Sequence, residues 1–218
     1  MADEGHYSVA VHGRCMIAHS FQGEQFGPAQ ALHGCTYVVD AICEGPQLQP
    51  ASEYLIDICQ AEAALHNALS YFHERNLDAV EEFSGENTTC ERFARAIWEH
   101  MARSLPGAPE LTNLRIVIHE SDIAYVEYQK SLNEHAAHGI YTVGVRGRFM
   151  AARSMKGSRF SDNQCHLHGG TFIVNALFIG AELEPGANYL IDICLAEKLV
   201  QAATSKLHQT QLDINVSS

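Results

Sequence analysis

No stretch of the 218 residues approaches 18 consecutive apolar positions, and no basic start followed by a continuous apolar run opens the chain. Neither a membrane-spanning helix nor a secretory leader is expected. Lys and Arg are scarce. Fourteen basic residues stand against 26 acidic ones, a formal charge of -12, with no Lys/Arg-rich tract and no zinc-finger or helix-turn-helix pattern. Nucleic acid and membrane are thereby disfavoured as partners, and a cytoplasmic protein is expected. Cys-x-x-Cys is also missing. The seven cysteines, at 15, 35, 43, 59, 90, 165 and 194, are odd in number and scattered, so reduced thiols are expected rather than a disulfide framework. A chain of this length can bury a large core as one domain or two small ones.

What is there begins with His33-Gly34-Cys35, which opens the β-branched run Thr36 to Cys43. Side chains two apart on a strand point the same way, so His33 and Cys35 can reach one metal ion. His19, in Met16-Ile17-Ala18-His19, supplies a third ligand if the two strands pair as a hairpin with a long loop. The same residues also suit ordinary strand ends that hold no metal.

Further on, the sequence repeats itself. Gly13-Arg14-Cys15-Met16 returns as Gly147-Arg148-Phe149-Met150, displaced by 134, and Leu32-His33-Gly34-Cys35-Thr36 returns as Leu167-His168-Gly169-Gly170-Thr171, displaced by 135. Tyr54-Leu55-Ile56-Asp57-Ile58-Cys59 reappears as Tyr189-Leu190-Ile191-Asp192-Ile193-Cys194, and Asn76-Leu77-Asp78 is answered by Gln211-Leu212-Asp213. Several blocks at a nearly constant interval imply duplication. The first copy, residues 5–130, reads as ββααββ: strands over Tyr7 to Phe21 and Thr36 to Cys43, then a helix over about Gln60 to Arg75 with Asp57 as its cap. A second helix opens on the capping box Thr88-Thr89-Cys90-Glu91, with Thr88 as N-cap, and strands follow at Leu114 to Glu120 and Ile123 to Tyr128. The second copy, residues 139–218, offers two strands and a helix at about 194–207. Its sequence stops opposite Phe83, so a second helix and a last strand pair have no counterpart, and the strand edges left open need cover.

Taken together, these motifs resemble the 6-pyruvoyl-tetrahydropterin synthase and 6-carboxy-tetrahydropterin synthase family. The resemblance implies an α+β tunnelling fold (T-fold): a ββααββ unit with an antiparallel sheet and two helices on one face, here duplicated with the second copy incomplete. It also implies homo-oligomers built by sheet continuation into rings or stacked rings, and a zinc-dependent carbon–oxygen lyase acting on a reduced pterin such as dihydroneopterin triphosphate. By the same resemblance His19, His33 and Cys35 match the zinc ligands, with Cys35 in place of a third His. Thr89 and Glu91 match the helix start that frames the pterin pocket, and Glu120 matches the carboxylate that holds the pterin ring.

The catalytic residues depart from that pattern. Where the family carries a general-base cysteine supported by an Asp-His pair, the first copy has no cysteine between Phe26 and His33, Ala29 standing at that place. It keeps Asp78 but has Ala79 for the histidine. The second copy has Cys165 near the catalytic position and Asp213, while Arg153 and Gly170 replace two ligands and leave His168. Two functions follow: a synthase with a composite site, in which Cys165, Asp78 and Asp213 carry the catalytic roles, or a non-catalytic relative that binds a pterin or purine-like ring or serves as a scaffold.

Overall fold

The structure is a computed structural model that describes residues 6–105, 107, 109–132, 138–154 and 167–213. Cys165 lies outside the described residues. The chain forms two compact units, Met1–Val143 with Phe178–Ile191, and Gly144–Leu177 with Asp192–Ser218.

In the first unit, β1 (Tyr7–His19) and β2 (His33–Gly45) pair antiparallel along their whole length, Tyr7 opposite Gly45 and His19 opposite His33. Alternation decides which face is buried. Tyr37, Val39, Ala41 and Cys43 are at most 3% exposed, and the residues between them face outward. β2 then pairs with β4 (Asn113–His119), and β4 pairs with β5 (Ala124–Ser131), both antiparallel. With β3 (Arg75–Asn76) parallel to β1, the order is β3-β1-β2-β4-β5, continued by the first residues of β6 (Ile140–Arg153) and the last of β7 (His168–Gly180). The sheet is open and mixed.

Two helices cover one face of it. α1 (Ile58–Phe72) buries Ala61, Ala64, Leu65, Ala68, Leu69 and Phe72, the spacing of three and four that its sequence predicts. The Asp57 carboxylate accepts from the Cys59 N–H at 2.9 Å, as expected of its cap. α2 (Cys90–Ser104) buries Phe93, Ala94, Ile97, Trp98 and Met101; Phe93 packs edge-on against Phe72, and the Trp98 Nε1–H donates to the Leu114 carbonyl at 2.9 Å. The expected N-cap is one residue too early. Thr89 is the cap and accepts from the Arg92 N–H, because the Thr88 hydroxyl and carbonyl are turned to His19 instead.

The second unit holds most of β6 and β7, with α3 (Ile193–Ser205) and β8 (Thr210–Gln211), which is parallel to β6. Local details recur at the sequence interval. The Asp192 carboxylate caps α3 at the Cys194 N–H, 2.9 Å away. His73 accepts from the Met16 N–H at 3.2 Å, as His208 does from the Met150 N–H at 3.2 Å, and the residues that follow, Glu74 and Gln209, have φ of 58° and 57°. Gly13 and Gly147 let a helix lie on a strand: a Cβ there would stand 2.5 Å from Leu69 and 2.5 Å from Val200 respectively. No helix among the described residues is long and apolar enough to cross a membrane.

Candidate metal centre and the adjoining pocket

The β1–β2 register sets His19 across from His33 and Ile17 across from Cys35, so three potential ligands crowd the loop end of one hairpin. One ligand atom from each of His19, His33 and Cys35 lies within 4.8 Å of the others. The His19 Nε2 is 3.6 Å from the Cys35 Sγ. Two ligand atoms on one tetrahedral zinc ion are roughly 3.5 Å apart, given bonds near 2.0–2.3 Å, so this spacing suits a shared ion. The remaining ring nitrogens point the same way. His19 Nδ1 lies 3.0 Å from the Thr88 carbonyl and His33 Nδ1 lies 2.9 Å from the Ala31 carbonyl. A carbonyl only accepts, so each Nδ1 carries the proton and each Nε2 is left as a lone-pair ligand, the outer-shell arrangement that orients metal-binding histidines. The cluster can coordinate a metal.

Burial tunes these groups. His19 is 1% exposed, and desolvation, reinforced by neighbouring His33, lowers its pKa to about 4, so the ring is neutral as a ligand must be. Burial pushes the Cys35 thiol up, against which a hydrogen bond with Tyr37 works. The Tyr37 hydroxyl in turn meets the Cys90 thiol at 3.4 Å, and the Cys90 Sγ stands 4.0 Å from the Glu120 carboxylate. Burial, then the Glu120 charge, holds the Cys90 thiol well above its ordinary range. A continuous series of polar groups therefore runs from the ligand cluster through Tyr37 and Cys90 to Glu120.

Thr89 and Glu91 are placed differently from Glu120. The Thr89 hydroxyl donates to the Asn188 carbonyl, and the Glu91 carboxylate accepts from the Leu190 N–H at 3.0 Å. Asn87 completes the clamp, donating to the Gly186 carbonyl at 2.9 Å. Segment 186–190 thus occupies the N-terminus of α2, and burial raises the pKa of Glu91. Glu120 is exposed.

Asp78 and Asp213 do matching work at strand ends. Asp78 accepts from the Ser20 N–H at 3.1 Å and hydroxyl at 2.7 Å, and Asp213 accepts from those of Ser154 at 2.6 and 2.7 Å. Asp78 is also close enough to favour the charged form of His19. At the ends of β6 and β7, Arg153 lies over the Phe172 ring at 5.5 Å, and the described residues form no second cluster of three metal-ligand side chains. Sequence reasoning missed Thr88, Tyr37 and Cys90. Tyr37 was legible in principle, since it continues the His33, Cys35 face by two residues; Thr88 was not, because it reaches His19 across 69 positions.

The fold recurs in solved structures. The 6-pyruvoyl tetrahydropterin synthase of Caenorhabditis elegans superposes with a TM-score of 0.53 at 22% identity, covering 60% of this chain and 100% of that one. A catalytic-residue mutant of the Plasmodium vivax 6-pyruvoyltetrahydropterin synthase gives a TM-score of 0.50 at 11% identity, covering 59% and 99%. No curated protein matches the chain. Residues 8–131, more than half of the sequence, match the family described as 6-pyruvoyl tetrahydropterin synthase, and the chain belongs to that family.

Proposed function

We propose that the chain is a duplicated member of the family that binds zinc through His19, His33 and Cys35 and a reduced pterin, of the dihydroneopterin triphosphate type, against Glu120. The observation that carries this reading is the convergence of the three ligand atoms within 4.8 Å beside the Cys90–Glu120 contact. A carboxylate suits a pterin because it accepts two parallel N–H bonds from a 2-amino-pyrimidinone edge. Bound zinc supplies Lewis-acid polarisation of the side-chain oxygens. Tyr37 and the Cys90 thiol line the way between the ligands and the ring. Thr89 and Glu91, taken up by segment 186–190, shape the pocket wall, and the ring is recognised by Glu120. The protein works as a homo-oligomer extended by its sheet edges, ring-like in the family manner, and resides in the cytoplasm.

A carbon–oxygen lyase reaction additionally needs a base within about 2.6–3.2 Å of the proton it takes, or a bridging water. Cys165, with Asp78 and Asp213 in support, fills that role in the composite-site form of the proposal. One observation favours the second reading, a non-catalytic pterin- or purine-binding relative. Ala29 and Ala79 stand where a base and its partner are expected, and neither has a group that moves a proton. Pterin binding and conversion by the parent, Cys165→Ala and Glu120→Gln proteins separate the two. Turnover that falls ~10²–10⁴-fold in Cys165→Ala supports the composite site. Binding lost in Glu120→Gln with no turnover in any of them supports the non-catalytic reading, and binding indifferent to Glu120→Gln overturns the pterin site.

A further inference from the structure

The strand end that gathers the metal ligands in the first unit is hollow in the second. In the first, buried Ile17 and half-buried Cys35 fill the helix-side face of β1 and β2; their counterparts at the repeat interval are Ala151 and Gly170. A pocket of about 570 Å³ lies there, its lining including Ala151, Leu167, Gly169, Gly170, Gln209 and Gln211. That volume is in the range that takes small molecules. Packing does not demand its glycines. A Cβ at Gly170 would meet only the Phe172 ring, no closer than 3.7 Å, and one at Gly169 nothing within 4 Å. Neither glycine has the positive φ that disfavours a side chain.

A cation stands beside this pocket. Arg153, the counterpart of His19, shares a face of β6 with Ala151, and Phe172 shares a face of β7 with Gly170. The Arg153 guanidinium lies over the Phe172 ring at 5.5 Å, and Phe149 stacks on that ring at 5.1 Å. A guanidinium seated on an aromatic ring keeps its N–H fork for an oxyanion. Among the described residues the arginines in ion pairs are Arg92, Arg95 and Arg115, so no described carboxylate takes up the charge of Arg153. The second unit is also the basic one. Its sequence has seven Lys and Arg against four Asp and Glu, where the first unit has seven against 22.

We propose that the second unit binds a small organic anion at this strand end, its phosphate or carboxylate group held by Arg153 and its body seated over Gly169 and Gly170. The two units are then electrostatic inverses at corresponding places. The first offers lone pairs to a cation, and the second offers a cation to lone pairs. A guanidinium meets either oxyanion through two parallel N–H bonds, which fixes the orientation of the group as well as its charge. Ala151 and Leu167 give the body an apolar wall, and the amides of Gln209 and Gln211 add neutral donors and acceptors.

The site lies within the second unit and does not depend on the metal and pterin reading of the first. Titration of the full chain with phenyl phosphate, benzoate and neutral benzamide, followed by ligand-observed NMR, tests it. The proteins are the parent, Arg153→Gln, Gly170→Leu and, as control, Arg148→Gln, which removes an exposed arginine from the opposite face of β6. Phenyl phosphate, benzoate or both are expected to bind the parent and Arg148→Gln alike, and at least ~10-fold more weakly to Arg153→Gln, as the loss of a charge-assisted pair implies. Gly170→Leu fills the floor of the pocket and should bind neither. The anion that binds more tightly tells a phosphate ester from a carboxylic acid as the ligand class. Binding of neither anion to the parent, binding indifferent to Arg153→Gln, or benzamide bound as tightly as the anions overturns the site. Arg153 is exposed and Gly170 has room for a side chain, so circular dichroism melting should find every variant folded. Zinc content on the same samples is expected to be equal in all four, so that loss of anion binding with metal retained separates this site from the metal centre.

Discussion

The hairpin β1–β2 and the hairpin β6–β7 share about half of their aligned strand residues and end with different surfaces. At the end of the first, His19, His33 and Cys35 converge, and each histidine has a carbonyl partner that fixes its proton. At the corresponding end of the second, Arg153 lies over Phe172, and Gly170 offers no side chain where Cys35 has a thiol. The inner faces differ in the same sense. Val39 in β2 is fully buried beneath the helices, while its counterpart Val174 in β7 is half-buried. Strand pattern in the two hairpins, and the Asp cap of the helix that follows each, are alike, so local structure needs neither the ligand set nor the second helix. Those two features distinguish the hairpin that holds the candidate metal cluster from the one that does not.

The largest expected effect breaks the comparison at the ligands. Cys35→Ser removes the soft ligand and should weaken zinc binding by more than about 100-fold, since loss of an outer-shell partner alone costs 10–100-fold. Competition with a chromophoric chelator measures this, and an unchanged affinity would show that the thiolate is not a ligand. A smaller effect sharpens the packing contrast. Val39→Ala should cost about 1.5–2 kcal/mol in urea denaturation, while Val174→Ala, with less apolar area to lose, should cost under about 1 kcal/mol. Equal costs would mean that β7 is covered as fully as β2.

The smallest effect concerns the clamp on segment 186–190. Burial raises the pKa of Glu91, so the folded protein holds that proton to higher pH than the unfolded chain does. The stability this group contributes is therefore fully present below its unfolded value near 4.5 and is lost as pH rises through the folded value. Glu91→Gln keeps an acceptor for the Leu190 N–H without the charge. It should match or exceed the parent in stability at pH 7, and the advantage should vanish as pH falls toward 4.5. A difference in urea midpoint that grows on acidification would reverse this sign.

Much of this was legible in the sequence, because it depends on short periods. The alternation after His33 placed Cys35 on the same face, and the three- and four-residue spacing of α1 gave its buried side. Asp57 announced its helix. What escaped were contacts between distant segments. Thr88 looked like a helix cap by its spacing to Glu91, but serves His19 from β1, and the cap passes to Thr89. Glu91 looked like a pocket or capping-box residue, and its partner is the Leu190 backbone, 99 positions away. Nothing in a local pattern ranks those competitors, since the choice is made by which polar group each buried donor can reach.

The contrast between the hairpins reduces to one number, the zinc content per chain of protein prepared without chelator. Elemental analysis paired with anomalous scattering at the zinc edge should find one ion per chain, seated among His19, His33 and Cys35. No metal above background, or an ion held at the Arg153 end instead, would contradict it.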